Sequence, residues 1–444
     1  MQHTRLRGPA HARDRGAPAA ALVRVAVVAT IALGVVTSCQ IVADDPAGPG
    51  TVTASPDPAV AKESPPEPVP PATFTVLAAG DLLPHGPVVR SAGGGSDFAG
   101  LLAGLDPWVA GADLALCHME VPVAPPGTAP SGYPMFGAPA GLVDAVAAQG
   151  WDGCSTASNH SVDRAYDGVV ATLDAFDDAG LGHVGTARSE TEQSAPQRYE
   201  LDRSGRTLTV AHLSATYGLN GLPMPPAARW AVDLIDAERL VDDARRAREE
   251  GADVVLVSLH AGVEYTEDLT DEQVDVVAEL GTSGAVDLVI GHHAHVPQRV
   301  ERVDGGPDGS GMWVAYGLGN LLSNQSAACC DARTSNGVLL SATFAQERPS
   351  GPTLVSKVRW TGTTVDIAAG HRVHALPDVL EDPGSTTLSS AELADRQDRV
   401  EDAVRDTARE RTRPSDPTGD EPVVLPREDA ADADDDQHSP RPER

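Results

Sequence analysis

Short apolar runs alternate along the middle of the chain with longer segments whose apolar residues recur every three or four positions. The first pattern is typical of buried strands and the second of amphipathic helices, so the alternation predicts an α/β fold. The predicted strands are Phe74–Ala79, Asp113–Cys117, Gly153–Ala157, Asp253–Leu259, Val286–Ile290 and Met312–Tyr316. Helices are predicted over 139–149, 164–179, 236–250 and from Thr270 onward, with a hairpin at 199–213 and antiparallel strands over 337–367.

Each of these six strands is followed by polar residues of the kind that bind metal ions. Because ligands of open α/β sheets bind beyond the carboxyl ends of the strands, we expect these side chains to meet. Asp81, Glu120 and Asn159 supply oxygen donors. The histidines at or near the strand ends are His85, His118, His160, His260, His292, His293 and His295. Imidazole, carboxylate and amide donors together favour Mn, Fe or Zn, and more than four candidate ligands indicate two divalent ions, about 3.5–4 Å apart in such sites.

The polar residues form six short motifs in a fixed order. They are Gly80-Asp81, His118-Met119-Glu120-Val121-Pro122, Ser158-Asn159-His160-Ser161-Val162-Asp163, His260-Ala261-Gly262-Val263-Glu264-Tyr265, Gly291-His292-His293-Ala294-His295-Val296 and Gly317-Leu318-Gly319-Asn320. Together they resemble the CapA family of capsule or poly-γ-glutamate synthesis proteins, which is related to calcineurin-like metallophosphoesterases. The resemblance covers about residues 74–345. It implies a four-layer α/β/β/α sandwich with a binuclear metal site.

The resemblance also implies roles for individual residues. The implied metal ligands are Asp81, Glu120, Asn159, His260, His293 and His295. His160 is the implied general acid, and Asp163 would orient His160 or its loop, although its position also suits a cap for the following helix. The residues expected in the cleft are Glu264, Tyr265 and Asn320. His292, His118 and His85 would either bind metal or support a ligand from behind.

Three departures from the family pattern bear on this assignment. The family's Asn-Leu-Glu reads His118-Met119-Glu120 here, and its Pro between the last two histidines is Ala294. The nearest histidine after Asp81 is His85, four residues on, whereas phosphoesterases usually place one two residues on. The sequence therefore leaves open which of His292, His293 and His295 bind metal.

The N-terminus has the features of an export signal. Five arginines surround or precede the apolar run 25–36, which is too short to span a bilayer, and Val36-Thr37-Ser38-Cys39 follows. We therefore predict a lipoprotein-type signal peptide over 1–38 and lipidation of Cys39, which would hold an exported protein on the extracytoplasmic face of the cell membrane. An uncleaved anchor, or an ordinary signal peptide with an incidental cysteine, are the alternatives.

Composition divides the rest of the chain. Residues 39–72 read as a linker rich in Pro, Ala and acids, 73–380 as the folded domain, and 381–444 as an acidic, largely disordered tail. Residues 73–400 carry −24 of the formal net charge of −31, which argues against binding of long nucleic acids.

Cys117 and Cys154 each end a predicted strand and could pair in an oxidising compartment, or remain buried thiols. The adjacent Cys329 and Cys330 have the same two alternatives.

These observations favour an exported, membrane-tethered CapA-like protein of the cell envelope with a metallophosphoesterase-like site. It would act on a phosphoester or an anionic polymer, in the synthesis or export of poly-γ-glutamate or another capsule polymer. Two rival hypotheses remain. One is a non-catalytic, metal-containing binding or scaffold subunit of a membrane polymer synthase. The other is an envelope nucleotidase or nuclease.

Overall fold

Two β-sheets pack face to face and carry helices on their outer faces in this computed structural model, which describes residues 69–427. The predicted signal peptide, Cys39, most of the predicted linker and residues 428–444 lie outside the described residues. Between residues 69 and 427, no helix combines the length and the apolar character that a membrane crossing requires.

Strands and helices follow one another through the described chain. The strands are β1 (Ala72–Leu83), β2 (Leu114–Met119), β3 (Gly153–Ser155), β4 (Gly182–Val184), β5 (Gln197–Arg203), β6 (Arg206–Thr216), β7 (Val254–His260), β8 (Leu288–His292), β9 (Val300–Val303), β10 (Met312–Ala315), β11 (Asn320–Ser323), β12 (Asn336–Gln346), β13 (Thr353–Asp366), β14 (Arg372–Ala375), β15 (Arg409–Glu410) and β16 (Val423–Leu425). The helices are α1 (Gly86–Ser91), α2 (Phe98–Leu102), α3 (Asp106–Val109), α4 (Gly141–Gln149), α5 (Ala165–Asp178), α6 (Glu190–Ser194), α7 (Ala237–Glu249), α8 (Asp271–Ser283), α9 (Leu376–Glu381) and α10 (Ser390–Val404).

The strand order explains why the polar strand ends converge. The first sheet runs β14-β13-β12-β1-β2-β3-β4, and the second runs β16-β5-β6-β7-β8-β10-β9. β1, β2, β3 and β4 are parallel neighbours, and so are β6, β7, β8 and β10. β11 runs parallel to β1 from Asp81 onward, where the pairing of β1 with β12 has ended. The carboxyl ends of the parallel strands therefore share one edge in each sheet.

Alternation along the strands builds the layers. Phe74 stacks on Phe344 between the two sheets, with Leu256 and Ile290 in the same buried cluster. The intervening residues of β1, such as Leu77, face the opposite way and are covered by α1 to α5. Helices α7 and α8 cover the outer face of the second sheet. The predicted α/β/β/α sandwich is therefore confirmed.

Helix ends and strand ends differ in how well the sequence predicts them. Asp236 caps α7 through the amide of Arg239, and Thr270 with Gln273 forms the capping box that starts α8. By contrast, β1 does not stop before Gly80 but continues to Leu83. The Asp81 amide donates to the Gly319 carbonyl at 2.9 Å, so the strand gains a new neighbour there.

The C-terminal part of the chain is more ordered than its composition suggests. Helix α10 buries Leu393, Val400 and Val404, a stripe on one helix face, against the inter-sheet core. Beyond it, β15 pairs with β13 of the first sheet and β16 with β5 of the second. The expected disordered tail from residue 381, and the domain boundary at 380, are therefore wrong for residues 381–427. The acidic residues lie on exposed faces, while the apolar stripe decides the fold.

A buried carboxylate ties this segment to both sheets. Asp113, just before β2, accepts hydrogen bonds from the amide and hydroxyl of Thr75 at 2.7 and 2.9 Å. Its other oxygen accepts from the Arg203 guanidinium at 2.9 Å and from the amide and hydroxyl of Thr418 at 2.6 and 2.9 Å. Arg203 ends β5 in the second sheet, so one carboxylate links both sheets and the C-terminal segment.

Candidate metal centre

Strand register brings the polar motifs of this chain together at the carboxyl ends of the parallel strands. Asp81 of β1 lies beside His118 of β2 on one side and Asn320 of β11 on the other. In the second sheet, His260 of β7 lies beside His292 of β8. A Cβ added at Gly80 would lie 2.0 Å from the Gly319 carbonyl oxygen, so glycine is required where these two motifs meet.

Glu120 follows β2 and is the least satisfied group of the site. Its side chain is fully buried, and neither carboxylate oxygen has a hydrogen-bond partner among residues 69–427. The nearest basic atoms are His295 Nε2 at 3.6 Å and His260 Nε2 at 4.0 Å. Burial raises the pKa of Glu120 well above its ordinary value. An ionised carboxylate is costly in this position unless a cation joins it.

Asp81 is paired with histidines from the loop after β8. Its carboxylate contacts His292 Nδ1 and His295 Nδ1, each at 3.2 Å, and accepts a hydrogen bond from the His293 amide at 3.1 Å. Burial alone would raise the pKa of Asp81, but the contacts with His292 and His295 outweigh it and lower the pKa well below its ordinary value.

His295 lies beside both carboxylates of the cluster. Burial opposes a positive charge on its ring, yet Glu120 and Asp81 outweigh burial and raise the pKa of His295 to about 9. His293 and His295 have φ angles of +86° and +56°, which are strained for non-glycine residues. Such strain at a ligand-rich loop is typical of a functional site.

A second group forms around His260. Its Nε2 lies 2.9 Å from Asn159 Oδ1, and its ring centroid lies 4.8 Å from that of His293. Its Nδ1 lies 2.9 Å from His118 Nε2, and His118 Nδ1 in turn contacts the Ser155 hydroxyl at 2.8 Å. Both nitrogens of His118 are therefore engaged with protein groups. His118 supports His260 from behind.

Ligand-type atoms fall into three overlapping triads whose atoms lie within 4.8 Å of one another. The triads are Asp81–Glu120–His295, Glu264–His293–His295 and Asp81–His118–His292. His292 stacks on His118 with centroids 3.9 Å apart. His85 belongs to none of the triads; its ring packs edge-on against Phe136. Carboxylate, amide and imidazole donors, with an unpartnered carboxylate among them, fit divalent transition metals.

His160 and Asp163 form a separate pair beside the cluster. His160 Nδ1 lies 2.7 Å from Asp163 Oδ2, which also accepts the Phe136 amide at 2.7 Å. Asp163 therefore orients His160, and it does not cap α5, which starts at Ala165 without a side-chain cap. The remaining nitrogen of His160, Nε2, lies 3.5 Å from Asn220 Nδ2, and both residues line the adjoining cleft.

The cleft has a volume of about 700 Å³. His160 lines it together with Glu264 and Tyr265, as expected, and with His85. Asn320 does not line it: its side chain is buried, its Oδ1 lies 3.1 Å from His295 Nδ1, and its amide donates to the Thr334 carbonyl. Its place in the register next to Asp81 puts it beneath the cluster, where it orients His295.

The two cysteine pairs both form disulfides. Cys117 and Cys154 lie opposite each other on β2 and β3, with Cα atoms 4.4 Å apart, and join the strands that precede Glu120 and Asn159. Cys329 and Cys330 form a bridge between adjacent residues that lines the cleft.

Sequence reasoning missed several residues of this site. Asn220 accepts a hydrogen bond from Asn159 Nδ2 at 3.1 Å, and the Tyr217 ring lies 4.6 Å from that of His293. Both belong to the loop after β6. Its Tyr-Gly-Leu-Asn-Gly sequence, directly after a buried strand, was the available signal. Phe136, which packs against His160, lies in a loop without such a signal.

Comparison with known proteins places these motifs in a family. Residues 75–325 match the family described as "Bacterial capsule synthesis protein PGA_cap". The PGA biosynthesis protein CapA of Bacillus subtilis is 28% identical over 175 residues, which cover 38% of this chain and 42% of that protein. A probable polyglutamine synthesis accessory protein of Mycobacterium tuberculosis is 27% identical over 180 residues, covering 38% and 45%. The matched region thus spans less than half of these relatives.

Solved structures give more distant similarities. The calcineurin-like phosphoesterase YfkN of Bacillus subtilis has a TM-score of 0.40 and 14% identity, covering 75% of this chain and 98% of that one. The NAD nucleotidase NadN of Haemophilus influenzae has a TM-score of 0.43 and 10% identity, covering 78% and 58%.

Proposed function

Because this chain belongs to the family of bacterial capsule synthesis proteins described as PGA_cap, we propose that it serves in the synthesis or export of a capsule polymer such as poly-γ-glutamate. We further propose that it hydrolyses a phosphoester at a site holding two divalent ions, Mn, Fe or Zn. The observation that carries the second proposal is the buried, unpartnered carboxylate of Glu120 between two groups of histidines.

We assign the ligands to two ions on the basis of these two groups. Asp81, Glu120 and His295 would hold one ion, since one ligand atom from each already lies within 4.8 Å of the others. Glu120, Asn159, His260 and His293 would hold the second, with Glu120 shared. This assignment would provide the buried carboxylate of Glu120 with a cation, and it leaves His292 and His118 behind the ligands.

The other residues have roles that follow from their contacts. When bound, two divalent ions would activate a water molecule and stabilise the negative charge that develops on the phosphoryl group. His160 lies at the cleft beside the cluster and would protonate the leaving oxygen. Asp163 accepts the Nδ1–H bond of His160, which fixes the ring and leaves Nε2 to hold the transferred proton.

The setting of the protein in the cell is a further part of the proposal. The arginine-flanked apolar run before Cys39 supports export and lipid anchoring on the extracytoplasmic face of the membrane. The name of the mycobacterial relative supports an accessory role, so membrane synthase subunits are the partners we propose. The charge of −24 on residues 73–400 makes long nucleic acids poor substrates.

The test combines metal content with turnover. We expect the purified full chain to contain about two ions by elemental analysis and, with Mn²⁺, to hydrolyse p-nitrophenyl phosphate or bis-p-nitrophenyl phosphate. His160→Gln should lower kcat about 10²–10⁴-fold without changing metal content. His183→Gln is the matched control, because His183 pairs with Asp177 at 3.0 Å but lies outside the cleft.

The outcomes separate the hypotheses. A metal-loaded chain that hydrolyses neither ester would favour the non-catalytic scaffold subunit. A chain that takes up no metal even in a Mn²⁺ or Zn²⁺ titration would contradict the two-metal site itself.

A further inference from the structure

The cleft next to the candidate metal centre has an unusual charge balance for a protein of polyanion metabolism. Its lining within residues 69–427 includes neither Lys nor Arg, and its one acidic side chain is Glu264. His85, which also lines it, is uncharged at neutral pH because burial lowers its pKa to about 4. Apart from His160, which is paired with Asp163, a chain of carboxylates therefore finds no counter-charge in this lining.

Arg333, which contacts the loop of Tyr265 behind the lining, is already neutralised. Arg333 donates to Glu267 at 2.6 Å, to Asp331 at 2.8 Å and to the Tyr265 carbonyl at 2.8 Å. Its guanidinium holds the loop of Tyr265 in place and has two acidic partners. It cannot serve an incoming anion without breaking these bonds.

What the cleft does offer is aromatic surface and uncharged polar groups. Tyr133 lines the cleft with 79% of its surface exposed, the most exposed large apolar residue of the described chain. The Tyr265 hydroxyl accepts a hydrogen bond from Gln325 at 3.2 Å. Asn220 and Asn324 add side-chain amides, and the Cys329–Cys330 bridge adds an apolar surface. Such a lining suits a ring that carries hydroxyl groups.

We infer that this cleft receives the uncharged, polyhydroxylated part of a phosphoester, such as a sugar or a nucleoside, and not the anionic polymer itself. The inference rests on the proposed function in one respect, since the phosphoryl group would lie at the metal centre while the cleft binds the group attached to it. The metal ions, with His160 as the acid beside them, then provide the positive charge that the ligand meets. A single phosphoryl group satisfies them, whereas a polyglutamate chain extends beyond them into a lining without cations.

The test is a binding comparison on the Mn²⁺-loaded full chain by isothermal titration calorimetry at about 150 mM salt. The probes are N-acetylglucosamine 1-phosphate, adenosine 5′-monophosphate, inorganic phosphate and a hexamer of γ-linked glutamate. We expect one of the two organic phosphates to bind about tenfold or more tightly than the hexamer. Which of them binds more tightly distinguishes a sugar from a nucleoside.

Variants assign the preference to the cleft. Tyr133→Ala should weaken the organic phosphate about tenfold and leave inorganic phosphate unchanged. Met135→Ala is the matched control, since Met135 is exposed two residues away but does not line the cleft. Asn324→Arg should strengthen binding of the hexamer about tenfold by adding the missing cation.

Two results would overturn the inference: the hexamer binding as tightly as the organic phosphates, or Tyr133→Ala weakening every probe equally. If inorganic phosphate fails to bind, the proposed function is wrong. In that case the preference of the cleft is tested without a phosphoryl group, by comparing the binding of unphosphorylated N-acetylglucosamine with that of the hexamer. Tighter binding of the hexamer would refute the inference.

Discussion

Replacement of His118 by Phe tests how the second metal group is held. His118 is fully buried, and its two nitrogens contact Ser155 at 2.8 Å and His260 Nδ1 at 2.9 Å. The second contact fixes which nitrogen of His260 carries the proton and leaves Nε2 directed at Asn159. Phe preserves the ring that stacks on His292 but removes both hydrogen bonds.

The expected loss can be stated for both affinity and stability. Removing the hydrogen-bonding partner of a metal-ligating histidine typically lowers metal affinity about 10–100-fold, or about 1.4–2.8 kcal/mol. Leaving Ser155 and His260 without partners in the interior costs a further ~1–3 kcal/mol of unfolding free energy. We therefore expect His118→Phe to bind two ions still, one of them about 10–100-fold more weakly.

The assay is a competitive titration of the metal-stripped full chain with a chelating indicator, read as two affinities and a stoichiometry. His212→Phe is the matched control: His212 is equally buried, contacts Ser258 at 2.8 Å and has no hydrogen bond to the residues assigned as ligands. Loss of one ion altogether would show that His118 is itself a ligand. Equal weakening in both variants, or none in either, would refute the supporting role.

Two further predictions concern the frame and the setting of the site. Asp113→Ala should lower the unfolding free energy by about 3–5 kcal/mol in urea denaturation, because it leaves the buried Arg203 guanidinium without its carboxylate partner. The control Asp253→Ala removes one hydrogen bond to the Thr209 amide and should cost about 1 kcal/mol. Equal losses in the two variants would contradict the role of Asp113 in linking the two sheets. Cys39→Ser should move the protein from the membrane fraction to the soluble extracytoplasmic fraction, and retention in the membrane would indicate an uncleaved anchor instead.

Much of the fold is predictable because it rests on local patterns. The buried strands are continuous apolar runs, and the starts of α7 and α8 are visible as Asp236 and Thr270. Composition gave a wrong prediction for the C-terminal segment, where acidic residues and an apolar helical stripe occur together. The acidic C-terminal segment also carries Leu393, Val400 and Val404 at helical spacing, and burial of that stripe outweighs the charge of its exposed faces.

The site is predictable as a set of residues but not as a set of contacts. Strand ends place Asp81, Glu120 and His260 at one edge by topology alone. The role of Asp163 required a partner from a distant loop, the Phe136 amide, 27 residues earlier in the chain. Asn320 is a polar residue just after a predicted strand, as expected of a cleft residue, yet its register beside Asp81 buries it under His295. Long-range register of this kind is not encoded in any local pattern.

The two ends of β1 lie far apart in the molecule. The chain enters this strand at Ala72, where the Pro71 carbonyl accepts a hydrogen bond from Ser204, and reaches Asp81 nine residues later. At ~3.3 Å per residue, the entry point and the metal centre are about 30 Å apart, at opposite ends of the strand. A tag or support joined at Ala72 would therefore be attached at the end of β1 that is remote from Asp81.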